Sequence, residues 1–214
     1  MTYYCKKIDH DIGLDGNTDK QEWQAVEAVE LVETVTGNRP VLPTGARLLW
    51  NDNFLYIGFT CQDDYINASL TRYNDMLYEE EVVEVFIDPT GENHRIPGGG
   101  RSYIEIEVNP LNALLHYMIY KNSGSVSAFG KIGSSIKTAV LRNGSNENWS
   151  VEIAVPFAEF VTAGSAKPQK GDKWLMNLYR IDRPKNGQDE YTAWNPTGEI
   201  NFHRPECFGE LVFE

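Results

Sequence analysis

Acidic and aromatic side chains alternate with aliphatic ones on two strand-like segments, and they are the residues best suited to bind a ligand. In the first segment Glu84 lies between valines, and in the second Tyr103, Glu105 and Glu107 alternate with isoleucine and valine. Side chains two positions apart on a strand share a face. If the two strands pair, their aliphatic side chains face a core and these four point outward from the sheet. Carboxylates are costly to cover with protein, so the pattern predicts a surface that meets water or a polar ligand.

Strand-like segments separated by turn residues run along most of the chain. Residues 75–110 hold the two acidic strands and a glycine-rich loop between them. Further apolar or alternating runs predict strands at residues 46–50, 54–61, 113–120, 136–141, 149–155, 173–182 and 207–213. Many short strands with almost no helix predict an all-β antiparallel sandwich of the jelly-roll or immunoglobulin-like kind.

Three segments depart from the strand pattern. Apolar residues from Trp23 to Val32 recur at near-helical spacing and predict a helix within residues 19–35, although their many valines also suit a strand. Residues 121–135 are rich in Gly and Ser and predict an exposed loop. Residues 156–160 begin with a proline and predict a single helical turn.

The length and charge of the chain limit its function. A chain of 214 residues without an internal repeat or a long linker fits a single domain, residues 1–214. A formal net charge of −12 argues against a nucleic-acid binder, because phosphate contacts need a basic surface. It equally disfavours docking on an anionic membrane. A neutral polar ligand is compatible with this charge, whereas the oligomeric state is left open.

The N-terminal segment and the cysteines bear on the cellular compartment. MTYYCKKIDHDIGLDG lacks the apolar stretch of a signal peptide, and no apolar run approaches the roughly 20 residues of a spanning helix. Taken literally, this predicts a cytoplasmic protein, but a trimmed extracellular chain would look the same. Cys5, Cys61 and Cys207 are odd in number and widely spaced, which predicts buried free thiols and argues against a disulfide framework or a metal site.

Five segments, in order, resemble the family 9 carbohydrate-binding modules and their relatives in the wider DOMON-like group. They are IGLDGNTDKQEW, ARLLWNDNFLYIGFTCQDD, LYEEEVVEVFIDP followed by YIEIEVNP, WSVEIAVPF, and YTAWNPTGEINFHRPECFGELVF. Each segment is degenerate alone, but together they run along nearly the whole chain. The resemblance implies a non-catalytic β-sandwich that binds a mono- or oligosaccharide between aromatic side chains, with a link to carbohydrate catabolism.

The resemblance also implies which residues form the site. Tyr78 takes the place of the family's first tryptophan, six residues before Glu84, and Trp194 matches the second ring. Tyr for Trp is a departure that keeps a flat face but offers less stacking area. The carboxylate of Glu84 would accept hydrogen bonds from sugar hydroxyls, because an ionised carboxylate has only acceptor sites.

Further polar side chains are candidates around these three residues. Tyr103 and Glu105 share the outward face with Glu84 and are expected to join the sugar site. Asn177 and Arg180 could donate hydrogen bonds to sugar oxygens. They are three positions apart on one strand and so lie on opposite faces, and at most one of them should face the sugar site. Each of the first three residues also has a purely structural alternative: Trp194 could close the end of the sandwich, Tyr78 could pack on its own strand, and Glu84 could be solvated.

Family members carry structural calcium, and the resemblance therefore implies a Ca²⁺ ion here. Its ligands cannot be matched residue by residue. Asp63 and Asp64 are the weak candidates, since oxygen-rich turns are where calcium sites arise, although such residues also cap turns.

Three alternatives to sugar binding stay open. Glu84 and Glu105 could be the carboxylate pair of a jelly-roll glycoside hydrolase, a pair that retaining enzymes hold about 5–5.5 Å apart. A DOMON-like domain could hold haem through Met or His, for which Met76, Met118, Met176 and four histidines, His10, His94, His116 and His203, supply candidate ligands. A partner-binding sandwich could present the same aromatic residues to another protein.

Overall fold

A computed structural model describes residues 1–90, 100–122, 124–144, 148–163 and 167–214. Within these ranges the chain forms fourteen strands. They are β1 Thr2–Lys7, β2 Val29–Glu30, β3 Val32–Glu33, β4 Thr44–Trp50, β5 Phe54–Cys61, β6 Val82–Asp88, β7 Arg101–Val108, β8 Leu114–Asn122, β9 Ser125–Gly130, β10 Lys137–Arg142, β11 Trp149–Pro156, β12 Lys173–Asp182, β13 Glu190–Ala193 and β14 Gly209–Phe213. The helical elements are α1 Gln21–Gln24 and single 3₁₀ turns at Leu77–Glu79, Phe157–Glu159, Val161–Ala163 and Pro205–Cys207.

The strands pair into two layers that face each other. The first sheet has the order β10-β11-β5-β4, and β2 also pairs with β4. The second sheet has the order β14-β12-β6-β7-β8-β9; in addition, β13 pairs with β12, and β3 pairs with β13. Strand β1 joins the layers, because it pairs in parallel with β14 at one end and with β4 at the other. All the other pairings are antiparallel within the described residues. The predicted all-β sandwich is therefore confirmed.

Alternation along the strands places the main core between the two sheets. The second sheet contributes Val83, Val85, Ile87, Ile104, Ile106 and Val108, and the first contributes Leu48, Ile57, Val151 and Ile153, all of them fully buried. Burying one such aliphatic side chain contributes about 1.5–3 kcal/mol. The aliphatic side chains of β6 and β7 face the interior as predicted.

A second, smaller apolar cluster lies on the outer face of the second sheet. Its buried members include Leu77, Phe86, Tyr103, Tyr179 and Phe202. The turn at Leu77–Glu79 and the segment that follows β13 cover this face, so it is a second protein-covered layer and not an open sheet surface.

Two local predictions are wrong. The helix predicted within residues 19–35 is limited to α1, and the valines beyond it enter the short strands β2 and β3. These strands extend sheet edges, since β2 pairs with β4 and β3 with β13, and β-branched side chains suit that conformation. The loop predicted for residues 121–135 contains β9, which pairs with β8 at a sheet edge. The glycine-rich loop between β6 and β7 lies largely outside the described residues.

The remaining local predictions agree with the structure. The strands predicted at residues 46–50 and 54–61 form the antiparallel pair β4–β5, and those predicted at 136–141 and 149–155 form the antiparallel pair β10–β11. A 3₁₀ turn follows Pro156. Cys5 and Cys61 are buried and Cys207 is partly buried, and all three are free thiols. No helix within the described residues has the length and apolar character needed to span a bilayer.

An inward-facing histidine gives the fold a testable pH dependence. The Nδ1 atom of His116 lies 3.0 Å from the Ser134 hydroxyl, and 4.0 Å from a carboxylate oxygen of Glu159, which pairs with Lys131. Burial, followed by the charge of Lys131, lowers the pKa of His116 to about 4.

We expect the contribution of His116 to stability to be complete above its unfolded pKa of about 6.5 and to be lost as the pH falls towards 4, because only the unfolded chain binds the proton in that window. When the pH falls from 7 to 5, the free energy of unfolding should therefore decrease by about 2 kcal/mol more in the wild type than in His116→Asn. Urea denaturation of both proteins at the two pH values measures this. Equal losses would show that His116 is not held neutral.

Candidate functional site

A cavity of about 310 Å³ opens on the outer face of the second sheet. Its floor includes Glu84 and Phe86 on β6 and Glu105 on β7, and its sides include three tyrosines and the segment of residues 200–203. A volume of this size lies at the lower end of the range for small-molecule sites, about 300–1,000 Å³.

Strand register brings the acidic residues of the floor together. Glu84 pairs with Glu107 across β6 and β7, and Glu105 lies opposite Phe86 on one side and Tyr117 on the other. The predicted outward direction of Glu84, Tyr103, Glu105 and Glu107 is correct. Their surroundings differ from the prediction, because all four are buried beneath the covering segments.

Three tyrosines stand around this floor. Tyr78 is 37% exposed in the turn at Leu77–Glu79, and its backbone carbonyl accepts a hydrogen bond of 2.8 Å from the Arg183 guanidinium. Tyr117 projects from β8 and Tyr191 from β13, and both are partly buried. Burial raises the pKa of Tyr78, and the neighbouring Tyr117 and Glu107 raise it further. The rings and hydroxyls of separate elements therefore converge on one cavity.

His203 forms part of the cavity wall as a neutral ring. Its Nδ1 atom lies 2.8 Å from the Tyr103 hydroxyl, and its ring stacks on Phe86 at a centroid distance of 5.3 Å. Burial, followed by the charge of Lys121, lowers the pKa of His203 to about 4. At neutral pH the ring can therefore both donate and accept a hydrogen bond.

Three glutamates form a carboxylate cluster at the floor, consisting of Glu84, Glu105 and Glu107. One oxygen from each lies within 4.8 Å of the others. Burial raises the pKa of all three, and mutual repulsion raises those of Glu84 and Glu107 further. The cavity thus combines polar acceptors with aromatic rings.

A family model described as carbohydrate family 9 binding domain-like matches residues 14–214. The chain belongs to this family. Endo-1,4-beta-xylanase A of Thermotoga maritima is 25% identical over 201 residues, which are 92% of this chain but only 16% of the xylanase. The chain therefore corresponds to a small part of that relative.

Solved structures share the fold of this family 9 domain. A protein of Bacteroides uniformis ATCC 8492, provisionally described as carbohydrate-binding, is 18% identical with a TM-score of 0.74, and the match covers 100% of this chain and 99% of that one. A family 9 carbohydrate-binding module of Caldicellulosiruptor kristjanssonii in complex with cellotriose is 17% identical with a TM-score of 0.68, covering 100% and 94%. The glucose complex gives 16% identity and a TM-score of 0.69, covering 100% and 96%.

In this family 9 domain, Trp194 does not line the cavity. Its ring is 2% exposed, packs in the main core between the sheets, and meets Tyr3 edge-on at a centroid distance of 6.5 Å. Gly209 passes so close that a Cβ atom there would lie 2.9 Å from the indole ring. The expected pairing of Tyr78 with Trp194 around a ligand is therefore corrected, because an enclosed ring has no face for a sugar. The structural interpretation, in which Trp194 closes the sandwich, fits its position.

Arg180 also points away from the cavity. Its guanidinium lies in the interior, where Nη2 donates to Asp63 at 2.8 Å and to Glu81 and Asp182 at 3.0 Å. Nη1 donates to the Thr44 hydroxyl and the Gln62 carbonyl. Its predicted role as a sugar donor is corrected to that of the central cation of a buried ion cluster.

Asn177 and Tyr103 have supporting positions. Asn177 faces outward but is fully buried, and its side chain bonds the Tyr179 hydroxyl and the backbone of Asn195. Tyr103 is also fully buried and lies behind the cavity wall, where its ring stacks on Phe86 and its hydroxyl contacts His203. Neither side chain lines the cavity, whereas the predicted residues Tyr78, Glu84 and Glu105 do.

The weak metal candidates separate in the structure. Asp63 is buried, and one of its oxygens accepts hydrogen bonds from Arg180 and from the Trp149 indole. Its other oxygen accepts from the Tyr65 amide. Asp64 is exposed. A guanidinium therefore occupies the centre of the carboxylates around Asp63.

Sequence reasoning missed Tyr117, Tyr191, Phe202 and the place of His203 in the wall. Strand parity could have found Tyr117, because it lies opposite Glu105 on the neighbouring strand. Residues 200–203 reach the cavity through the path of a loop, for which the sequence carries no periodic signal.

Proposed function

We propose that this domain binds a neutral sugar in the cavity and leaves it chemically unchanged. The observation that carries the proposal is the placement of three partly exposed tyrosines around the carboxylates of Glu84 and Glu105. Membership of the carbohydrate family 9 binding domain-like family supports the same function.

The chemistry of the lining suits a pyranose ring. The C–H groups of a pyranose form weakly apolar faces that pack on aromatic rings, while the hydroxyls at its rim need directional partners. Tyr78, Tyr117 and Tyr191 supply rings, and Glu84 and Glu105 supply acceptors. The neutral imidazole of His203 adds a group that can donate or accept.

The relatives suggest which sugars to test first. The Caldicellulosiruptor module has been solved with cellotriose and with glucose, and the matched Thermotoga protein is a xylanase. Gluco- and xylo-oligosaccharides are therefore the first probes. The net charge of −12 favours neutral over acidic sugars.

Calorimetric titration of Tyr78→Ala tests the assignment. Loss of a ring that contacts the ligand should weaken binding at least tenfold, equivalent to about 1–2 kcal/mol. Tyr4→Ala is the matched control, because Tyr4 is 60% exposed on β1 and lies outside the cavity. Equal affinities of the wild type and Tyr78→Ala for every sugar that binds would contradict the proposed site.

A glycoside hydrolase using Glu84 and Glu105 is less well supported. Such an enzyme needs one ionised nucleophile and one protonated acid with separated pKa values. Here burial raises the pKa of both carboxyls, which favours their neutral forms and opposes the ionised nucleophile that the mechanism needs. Turnover of an aryl glycoside or xylan that disappears in Glu84→Gln would favour the enzyme.

The other two alternatives stay predictions. A wider DOMON-like relationship would allow haem binding, and a colourless purified protein would contradict that function. If the domain binds a partner protein, mutation of the cavity tyrosines would abolish binding of that protein and not binding of a sugar.

A further inference from the structure

We propose that the edge strand β9 binds an extended, acidic segment of a partner protein, which adds a further strand to the second sheet. This inference goes beyond sugar binding and concerns a different surface from the cavity tyrosines. Its test uses no sugar.

The acidic residues of the chain leave one long stretch free. The chain contains 31 Asp and Glu among 214 residues, roughly one in seven, yet residues 108–146 contain none. The same stretch contains four basic residues, so its formal charge is +4, and the rest of a chain with a net charge of −12 therefore carries −16. The four basic residues are Lys121, Lys131, Lys137 and Arg142.

This stretch forms one side of the sandwich. It contains β8, β9 and β10, and the strand order ends with β9 in the second sheet and with β10 in the first. Strand β1 closes the opposite side, because it joins β14 to β4. Residues 131–136 connect β9 directly to β10, and the two sheets of a sandwich pack about 10 Å apart. Both edge strands therefore lie on the same, acid-free side.

Strand β9 lacks the features that protect edge strands from pairing with another chain. It pairs only with β8 among the described residues, so its other edge presents backbone N–H and C=O groups to a partner. Natural edge strands are commonly protected by charged side chains or by proline. The six residues of β9, SVSAFG, include neither, whereas β10 begins with Lys137 and ends with Arg142. Of these two edges, β9 is the one that can accept a strand.

Apolar side chains stay exposed along this edge. Val126 is 41% exposed and Phe129 is 62% exposed, and Ile132, just beyond the strand, is fully exposed. Val126 and Phe129 are three positions apart and so point to opposite faces of the sheet. A strand lying along β9 would cover an apolar side chain on each face. This favours a polypeptide with aliphatic side chains as the partner, since main-chain pairing combined with side-chain contacts is how added strands are recognised.

The cations beside β9 set the charge of the partner. Lys131 directly follows the strand and is neutralised by the buried carboxylate of Glu159. Lys121, Lys137 and Arg142 form no ion pair among the described residues, and the last two are exposed. An acidic segment therefore complements this side electrostatically. A second copy of this chain is a poorer partner, because its own β9 would bring the same cations against these.

Fluorescence anisotropy with defined peptides tests the proposal at pH 7.5. The probe is fluorescein-labelled (Val-Glu)₆, and the controls are (Val-Lys)₆, which has the wrong charge, and (Pro-Glu)₆, which has the charge but cannot pair as a strand. We expect (Val-Glu)₆ to bind at least tenfold more tightly than either control. Binding should weaken several-fold between about 50 and about 300 mM NaCl, because salt screens exposed charges.

Phe129→Glu should weaken binding of (Val-Glu)₆ at least tenfold, because it places a like charge on the edge. Val41→Glu is the matched control, since Val41 is also exposed and lies outside the acid-free stretch, and it should bind as the wild type does. If Phe129→Glu does not fold, Val126→Glu replaces it.

Three results would overturn the proposal. They are no binding of (Val-Glu)₆, equal binding of (Pro-Glu)₆, which would show attraction by charge without strand pairing, and full binding by the folded glutamate variant. Polygalacturonate is included as a competitor. Binding of polygalacturonate without binding of (Val-Glu)₆ would assign this side to an anionic polysaccharide instead.

Discussion

Replacing Arg180 by methionine is expected to lower the free energy of unfolding by about 3–5 kcal/mol. Arg180 is 1% exposed and is the shared partner of Asp63, Glu81 and Asp182. Methionine fills a similar volume but leaves three buried carboxylates without a cation. Urea denaturation followed by tryptophan fluorescence measures the loss. Arg72→Met is the control, because Arg72 is largely exposed and its replacement should leave stability unchanged.

The loss of free energy of unfolding in Arg180→Met should also depend on pH. In the wild type, burial raises the pKa of Glu81 to about 8 and that of Asp182 to about 6, while the charge of Arg180 lowers both. Without Arg180 both values rise further, so the folded variant binds more protons than the unfolded chain and loses stability as the pH rises. The difference in free energy of unfolding between the wild type and Arg180→Met should be larger at pH 8 than at pH 5. A loss of less than about 1 kcal/mol at both pH values would show that the cluster is not held by its ion pairs.

Trp194→Ala is expected to destabilise the fold by about 3–5 kcal/mol, because it opens a cavity in a packed core. The indole contacts Tyr3 and the Gly209 backbone, and little could move in to fill the space. Trp194→Phe retains much of the ring and should cost less. Both losses can be measured by thermal and urea denaturation.

The same pair of variants separates the core role of Trp194 from a ligand contact. Folded Trp194→Phe should bind sugar with the affinity of the wild type, whereas Tyr78→Ala should bind it at least tenfold more weakly. A Trp194→Phe protein with native stability and lost sugar binding would return Trp194 to the ligand site.

The strands could be predicted because their alternation is unambiguous. Val83, Val85 and Ile87 repeat at period two against Glu84, so both the strand and the direction of the carboxylate follow from the sequence. Strand β9 was missed because an edge strand rich in Ser and Gly with both faces largely exposed lacks that alternation.

The direction of Arg180 could not be predicted because β12 is buried on both faces. Its inward residues Met176 and Leu178 and its outward neighbour Tyr179 are all apolar, so the pattern does not show which side meets the main core. The position of Trp194 depends on how the chain turns after β13, and a motif match gives the position in the sequence without the direction of the ring. The cover formed by residues 200–203 depends on contacts distant in sequence.

The most direct test maps the bound sugar by amide chemical shifts. The isotope-labelled domain is titrated with the oligosaccharide that binds best in a panel including glucose, cellotriose and xylo-oligosaccharides. We predict that the shifted amides cluster around Tyr78, Tyr117 and residues 200–203. Shifts confined to the polar depression that includes His10, Asp11 and Asn53 on another part of the surface, or no response to any sugar in the panel, would contradict the proposed sugar site.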